Sequence, residues 1–230
     1  MKVLNLYAGI GGNRKLWENV QVTAVEYDEE IASIYKDHFP DDEVIVSDAK
    51  KYLLEHHEDF DFVWSSPPCP THSVTNNFLN AQGVKRYPDM GLYQQIIYLS
   101  QFHKGKYCVE NVKSYYAPLI KPQELDRHYF WANFKLRGGR KRKNSFNTLN
   151  AASSTRKKSD EYIESLIELY GFDLRDKGVS KSKMIKYMRN CVHPETGLYI
   201  LNAARNIITR PKTKQAGLFE NESANAGQAL

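Results

Sequence analysis

The chain has 230 residues, 41% hydrophobic and 26% charged, which suits one soluble globular domain with at most a small appended module. No apolar run approaches the roughly 18 residues that span a bilayer, and the N-terminus has no secretory signal. Cys69, Cys108 and Cys191 lie far apart and lack paired zinc spacing. These features predict a cytoplasmic protein with reduced thiols, no metal and no membrane contact.

Positive charge is concentrated in one part of the chain. The net charge is +5, yet residues 135–190 carry 15 Lys and Arg against 6 Asp and Glu, so the remainder is acidic. Such polarity favours one face for a polyanion. A solvated basic loop explains the charge about equally well.

In chain order, short β-rich runs alternate with helical stretches over the first 135 residues. We predict helices from the glycine turn after the first strand to about Glu18, at Glu29–His38 and at Tyr93–Phe102. The predicted strands are Val3–Tyr7, Val22–Glu26, Glu43–Val46, Phe60–Ser65 and Lys106–Glu110. This alternation predicts an α/β fold with a doubly wound, mostly parallel sheet, whose ligands gather at the carboxyl ends of the strands.

The composition changes near residue 135. Residues 136–158 are basic and rich in Ser and Asn, and helices are predicted at Ser159–Tyr170, capped by Ser159 or Asp160, and at Tyr199–Ile208. We therefore divide the chain into a catalytic domain (1–135), a small basic recognition region (136–185), a segment returning to the catalytic domain (186–208) and a disordered tail (209–230).

Three of the predicted strand ends carry residues suited to an adenosine-bearing cofactor. The first strand runs into Gly9, Gly11 and Gly12, which let the backbone approach a ligand closely. Glu26 ends the second strand and could accept hydrogen bonds from ribose hydroxyls, and Asp48 after the third could accept from an adenine amino group. Each acid taken singly is more often a cap or turn residue, but their joint placement favours the cofactor.

The next two strand ends carry a thiol and a carboxyl group. Cys69 follows the prolines of Ser65-Ser66-Pro67-Pro68, which hold the loop extended. Glu110 ends the neighbouring strand. A loop cysteine is usually inert, but a thiol beside a carboxyl group suits covalent catalysis with general acid assistance.

In this order the motifs resemble those of the DNA (cytosine-5) methyltransferases, and small phage or prophage members in particular. The resemblance covers the chain to about residue 208. It implies an S-adenosyl-L-methionine cofactor and a Rossmann-like methyltransferase fold. The residues that match the family's cofactor contacts are Tyr7, Gly9, Gly11, Gly12, Glu26, Tyr27, Asp48, Ala49, Pro68, Leu92, Asn190 and Val192.

The resemblance also implies the reaction. Cys69 would add to carbon 6 of a flipped cytosine, Glu110 would stabilise the ring charge, and Arg127 would hold the O2 or backbone side while a methyl group is transferred to carbon 5. The family's Gln-x-Arg-x-Arg segment appears only as Leu125–Tyr129, so one arginine is missing. His128 and Tyr129 are the candidates to replace it.

Double-stranded DNA is the partner that the resemblance implies. We expect it to contact the densest basic run, formed by Arg137, Arg140, Lys141, Arg142 and Lys143. Because this region is short, we expect a short or degenerate target sequence. We expect a monomer. Two alternatives remain open, an RNA cytosine methyltransferase of the same fold and a catalytically silent DNA-binding relative.

The tail contains a second motif. Gln215–Phe219 (Gln-Ala-Gly-Leu-Phe) resembles the peptide by which bacterial proteins dock on the replication sliding clamp. A disordered segment with two apolar anchors and one amide suits a preformed groove. Packing of Leu218 and Phe219 back onto the domain explains the motif equally well.

Overall fold

The computed structural model describes residues 1–137 and 156–207, without the side chains of 156–158. It contains a seven-stranded sheet with the order β3-β2-β1-β4-β5-β7-β6. The five neighbouring strands β3, β2, β1, β4 and β5 are parallel to one another, whereas β7 is antiparallel to both β5 and β6. The strands are β1 (Lys2–Leu6), β2 (Gln21–Glu26), β3 (Glu43–Val46), β4 (Phe62–Ser65), β5 (Lys106–Val112), β6 (Gln123–Leu125) and β7 (His128–Ala132).

Seven α-helices surround the sheet in the described residues. They are α1 (Glu29–His38), α2 (Ala49–His56), α3 (Asn76–Ala81), α4 (Gly91–Phe102), α5 (Arg156–Tyr170), α6 (Lys181–Arg189) and α7 (Pro194–Ala204). A short 3-10 turn covers His57–Asp59. None of these described helices is long and apolar enough to cross a membrane.

Both faces of the sheet are covered, as the doubly wound prediction requires. Leu4, Leu6 and Val63 pack with residues of α2 and α4 on one face. On the other face, Val3 and Phe62 pack with α7. Strands buried on both faces read as continuous apolar runs, and β4 is buried at all four positions. The α/β fold class is therefore confirmed.

Helices α5 and α6 pack against α1. Leu166 of α5 and Met188 of α6 share a core cluster with Ile34 of α1 and with Ile10 of the loop after β1. At the surface, Lys183 lies 2.7 Å from a carboxylate oxygen of Glu30 on α1. The late part of the chain is thus fixed beside the carboxyl end of β1.

Most predicted elements are confirmed within three residues, one is wrong and one is shifted along the chain. Residues 8–17 form consecutive turns instead of a helix, because Gly9 and Gly11 have φ of +55° and +86°. Helix α7 begins at Pro194, five residues before the predicted start, since a proline fits the first helical turn. Helix α5 begins before the predicted caps Ser159 and Asp160.

Candidate active site and cofactor pocket

The loop after β1 is held by the acid that ends β2. The Gly9 N–H donates to Glu26 Oε2 at 2.9 Å, and the N–H groups of Tyr27 and Asp28 donate to Glu26 Oε1 at 3.0 and 3.1 Å. One carboxylate therefore fixes two strand ends side by side. Its remaining lone pairs could accept hydrogen bonds from ligand hydroxyls.

A cavity opens beside this loop. Its walls come from both ends of the described chain, because the loop after β1 faces Tyr187 of α6 and the segment that follows that helix. The cavity is lined by Tyr7–Ile10, Gly12–Asn13, Ser66, Tyr187 and Asn190–Val192. Predicted cofactor residues Tyr7, Gly9, Gly12, Asn190 and Val192 are thereby brought together.

Gly12 is needed where the two walls meet. A Cβ at this position would lie 2.6 Å from both Cys191 Cβ and the Val192 carbonyl oxygen. Nearby, a Cβ on Gly197 of α7 would lie 2.0 Å from the Asn13 carbonyl oxygen. The early and late parts of the chain are in direct backbone contact here.

The other predicted cofactor residues have different environments. Tyr27 is 77% exposed, so its ring is available for stacking. Asp48 caps α2 by accepting from the Lys51 N–H at 2.8 Å, which is the ordinary role of an acid at that position. Ala49 and Leu92 are buried in the core, so only their backbone groups could contact a ligand. Gly11 packs against the α1 aromatic residues, and Pro68 is exposed.

Gln95 of α4 links two strand ends below the cavity. Its amide nitrogen donates to the Tyr7 hydroxyl at 2.7 Å, and its carbonyl oxygen accepts from the Ser65 hydroxyl at 2.8 Å. Burial raises the pKa of Tyr7 to about 12, so this phenol stays neutral at physiological pH. The network fixes Tyr7, whose φ is +56°, at the turn.

Cys69 lies half-buried on the loop after β4. Its carbonyl accepts from the N–H groups of His72 and Ser73 at 2.9 and 3.1 Å, which closes a tight turn. Burial raises the pKa of the Cys69 thiol, and the negative charge of Glu110 raises it further. The thiol is therefore protonated in the free protein near neutral pH, and it is within electrostatic range of the carboxyl group.

Asn111 joins the thiol loop to the carboxyl strand. Its side-chain amide donates to the Pro67 carbonyl at 3.0 Å, and its carbonyl oxygen accepts from the Val112 N–H at 3.0 Å. Glu110, the preceding residue, is 6% exposed. The Glu-Asn-Val sequence therefore places the carboxyl group and anchors the loop that carries the thiol.

Further contacts fasten the thiol loop to the segment after β5. The Val74 N–H donates to the Lys113 carbonyl at 3.2 Å, and the Tyr115 N–H donates to the His72 carbonyl at 3.0 Å. The His72 ring and the Tyr116 hydroxyl share a hydrogen bond of 2.6 Å. Burial lowers the pKa of His72, which favours the neutral imidazole. These bonds hold Cys69 in one backbone conformation.

The two predicted site arginines in the described residues, Arg127 and Arg137, lie on different segments of the chain. Arg127 is exposed at the turn between β6 and β7, where its carbonyl accepts from the Lys113 N–H at 3.2 Å, close to the end of β5. Arg137 is exposed, and its carbonyl accepts from the Tyr199 hydroxyl at 2.8 Å. Arg140, Lys141, Arg142 and Lys143 lie outside the described residues, as does Gln215–Phe219.

Several site residues escaped the sequence interpretation. Tyr187 lines the cavity and donates to Glu30 at 2.6 Å, and Asn13, Ser66 and Cys191 also line the cavity. Helix α6, which carries Tyr187, was not predicted. Its signal was present, because Ser180 caps the helix and buried apolar residues recur at helical spacing.

Groups suited to a nucleoside-bearing cofactor lie beside the pocket. A glycine loop, a carboxylate at the end of β2 and an exposed aromatic ring lie together at one edge of the sheet. Ligands bind at this edge in open α/β sheets. The thiol and carboxyl groups follow on the adjacent strands β4 and β5, so a second ligand could react beside the first.

Comparison with known proteins gives the family and the fold. The model of the family C-5 cytosine-specific DNA methylase matches residues 1–118. Among solved structures, the Entamoeba histolytica methyltransferase EhMeth has a TM-score of 0.58 at 10% identity, covering 91% of this chain and 99% of that one. This likeness extends the methyltransferase fold over nearly the whole chain.

Two further solved structures share shorter regions. A putative DNA modification methyltransferase encoded within an Escherichia coli prophage has a TM-score of 0.39 at 17% identity, over 57% of this chain and 46% of that one. A mutant of Spodoptera frugiperda DNMT2 has a TM-score of 0.35 at 25% identity, over 49% and 35%. No curated protein matches the chain.

Proposed function

This chain belongs to the C-5 cytosine-specific DNA methylase family, and from that premise we propose that it methylates carbon 5 of cytosine in double-stranded DNA, with S-adenosyl-L-methionine as the donor. The observation that carries the proposal is the hydrogen bond from Asn111 to the Pro67 carbonyl. It joins the loop of Cys69 to the strand of Glu110. This arrangement supports a site in which both groups would face a base that enters at this edge of the sheet.

Cys69 is the proposed nucleophile. Carbon 5 of cytosine is too weakly nucleophilic to take a methyl group from a sulfonium, and addition of a thiolate to carbon 6 makes it enamine-like. Because the pKa of the Cys69 thiol is raised, its proton must pass to a base, here water, as the sulfur adds to carbon 6. After transfer, water takes the carbon 5 proton, the bond between carbon 6 and sulfur breaks, and Cys69 leaves as a thiolate that water reprotonates.

Glu110 is proposed to contact the cytosine ring. Its buried carboxyl group would share a proton with N3 and stabilise the charge that develops when Cys69 adds. Arg127, at the neighbouring strand end, would hold the flipped cytosine on the side of its O2 atom or of the DNA backbone. A base inside a duplex cannot reach these groups, so it must flip out at a cost of a few kcal/mol.

The cavity beside Gly9 and Gly12 would hold the cofactor. S-adenosyl-L-methionine supplies an electrophilic methyl group when bound. Glu26 would accept hydrogen bonds from the ribose hydroxyls, and Tyr27 would stack on the adenine. Asn190 and Val192 would close the pocket from the opposite wall.

Covalent trapping tests the proposal. The protein is incubated with S-adenosyl-L-methionine and duplex DNA that contains 5-fluorocytosine, whose fluorine cannot leave as a proton does. We expect an adduct stable in SDS, lost in Cys69→Ser and retained in the matched control Cys108→Ala, whose thiol is fully buried in β5. The proposal fails if wild-type protein binds cofactor and DNA without forming an adduct, or if Cys69→Ser still forms one. An adduct with RNA alone would establish an RNA methyltransferase instead.

DNA affinity is proposed to come from the basic region. Replacing Arg140, Lys141, Arg142 and Lys143 with glutamine should lower affinity for every sequence and flatten the dependence of log K on log salt. Bisulfite mapping of modified DNA should reveal a short or degenerate target. Methylation at only one long site would contradict that expectation.

Docking on a sliding clamp is proposed for the tail, and with it a bacterial, phage or prophage setting. The peptide Gln215–Phe219 would place two apolar anchors in the clamp groove. A pull-down with purified clamp should retain wild-type protein and lose Leu218→Ala/Phe219→Ala. Equal retention would refute docking through this peptide.

A further inference from the structure

The buried carboxyl group of Glu110 has an imidazole beside it. His128 Nε2 lies 3.6 Å from Glu110 Oε1, and the two side chains are 22% and 8% exposed. This separation is too long for a direct hydrogen bond but within the range of an ion pair when the imidazole is protonated. Since both groups are mostly shielded from water, their interaction is screened less than that of a surface pair.

Strand register explains why His128 is the residue that meets the carboxyl group. In the antiparallel pair of β5 and β7, Glu110 lies opposite Phe130 and Val112 lies opposite His128. Opposed residues point to the same face, so His128 is the diagonal neighbour of Glu110 and can reach it.

Tyr129 points to the opposite face. It lies opposite Asn111, and its ring packs 6.0 Å from the ring of Trp131. It belongs to the core cluster under α2 and α4, on the far side of the sheet from Phe130. The two neighbours His128 and Tyr129 therefore have separate environments, and only the histidine is placed to act on Glu110.

We propose that His128 is a positioning residue for Glu110, which holds the carboxyl group in the orientation that engages the cytosine. This inference rests on the proposed function. A carboxylate that must be aimed at a base needs a support that fixes its rotamer and balances its charge. His128 approaches Glu110 from the neighbouring strand β7.

Other ionisable groups lie near Glu110. The thiols of Cys69 and Cys108 feel the charge of Glu110, and burial raises the pKa of both. Lys113, which is paired with Glu124, and Arg127 lie at the adjoining strand ends.

The test uses His128→Ala, His128→Gln and the matched control Tyr129→Phe. For each, kcat and the KM values for duplex DNA and S-adenosyl-L-methionine are measured. We expect kcat to fall about tenfold in His128→Ala, with KM values changed less than about threefold. His128→Gln, which retains an N–H donor, should recover part of the loss, and Tyr129→Phe should match wild type.

Rescue by glutamine separates positioning from packing. The side chain of His128→Gln retains an N–H donor that can support Glu110, whereas alanine cannot, so kcat should recover in part while the KM values stay close to wild type. No recovery in His128→Gln, or a kcat in His128→Ala equal to that of Tyr129→Phe, would overturn the inference.

The two proposals fail in different ways. If wild-type protein transfers no methyl group and forms no adduct, the proposed function is refuted and the role of His128 with it. If the wild type is active and the His128 variants are equally active, only the role of His128 is refuted. Thermal unfolding of each variant verifies that it is folded, and His128→Gln provides the test if His128→Ala is not.

Discussion

Gly12→Ala is expected to separate the two walls of the cofactor pocket. Gly12 has ordinary backbone angles, so the cost of the substitution is steric and does not involve conformational strain. The new Cβ would lie 2.6 Å from Cys191 Cβ and from the Val192 carbonyl oxygen, and 3.0 Å from Cys191 Sγ. The first two neighbours are backbone or close to it, so they cannot rotate away.

The magnitude follows from these distances. Ordinary contact begins near 3.4 Å, so the segment at Cys191 and Val192 must retreat by about 0.8 Å. Overpacking of this kind costs about 1–3 kcal/mol. In a chain of this size that lowers Tm by about 2–10 °C. Because the displaced segment is a wall of the pocket, we expect affinity for S-adenosyl-L-methionine to fall about ten- to a hundredfold.

Isothermal titration calorimetry with S-adenosyl-L-methionine measures the affinity, and differential scanning calorimetry measures Tm. The matched control is Gly178→Ala, on the loop between α5 and α6, where φ is +68° and a Cβ meets nothing within 4 Å. That variant should lose about 1 kcal/mol through backbone strain and keep its cofactor affinity. Wild-type affinity in Gly12→Ala would refute the reasoning, because the contact between the walls would then have no role in binding.

Three further predictions concern the pocket, the thiol loop and the late helices. Tyr27→Ala should keep the wild-type Tm, since the ring is 77% exposed, but lower cofactor affinity about three- to tenfold in calorimetry, whereas Tyr27→Phe should not. Asn111→Ala should lower the free energy of unfolding by about 1–3 kcal/mol in denaturant titration and slow adduct formation, because the Pro67 carbonyl loses its donor. The hydrogen bond from Lys183 lowers the pKa of Glu30, so its stabilisation is present above the unfolded value near 4.5 and is lost as the pH falls through the folded value. The Tm difference between wild type and Glu30→Gln should therefore be largest near neutral pH and vanish in acid.

Each of these has a contrary outcome. Unchanged affinity in Tyr27→Ala would mean that the cofactor does not stack there. Unaltered adduct kinetics in Asn111→Ala would show that the thiol loop is held by its other anchors. A Tm difference that is independent of pH would show that Glu30 acts through packing and not through its charge.

The five parallel strands could be predicted from the sequence because each is a short, largely apolar run between polar turns, whereas β6 and β7 were not predicted. Helix α1 was also predicted to the residue, since Asp28 caps it and Pro40 follows it. The turns at residues 8–17 were not, because apolar residues there mimic helical spacing while Gly9 and Gly11 adopt positive φ. The local sequence pattern does not distinguish a helix from these turns.

The site residues at the strand ends could be predicted, but those contributed by the late part of the chain could not. Cys69 and Glu110 follow neighbouring parallel strands, so their proximity follows from strand order. The role of Tyr187 depends on how α6 packs against α1, over 150 residues away along the chain, and no local pattern encodes that distance. Likewise, the choice between His128 and Tyr129 required the register of β7 against β5.

The meeting of Gly12 with Cys191 and of Asn13 with Gly197 has a consequence for how the protein matures. Residues 1–118, which carry the family match, contain the glycine loop, the thiol and the carboxyl group, yet they lack one wall of the pocket. A nascent chain released from the ribosome at that length would have its chemical groups but no closed place for the methyl donor. Under the proposed function, methyl transfer would begin only when Tyr187 and the Asn190–Val192 segment have emerged and folded against the glycine loop.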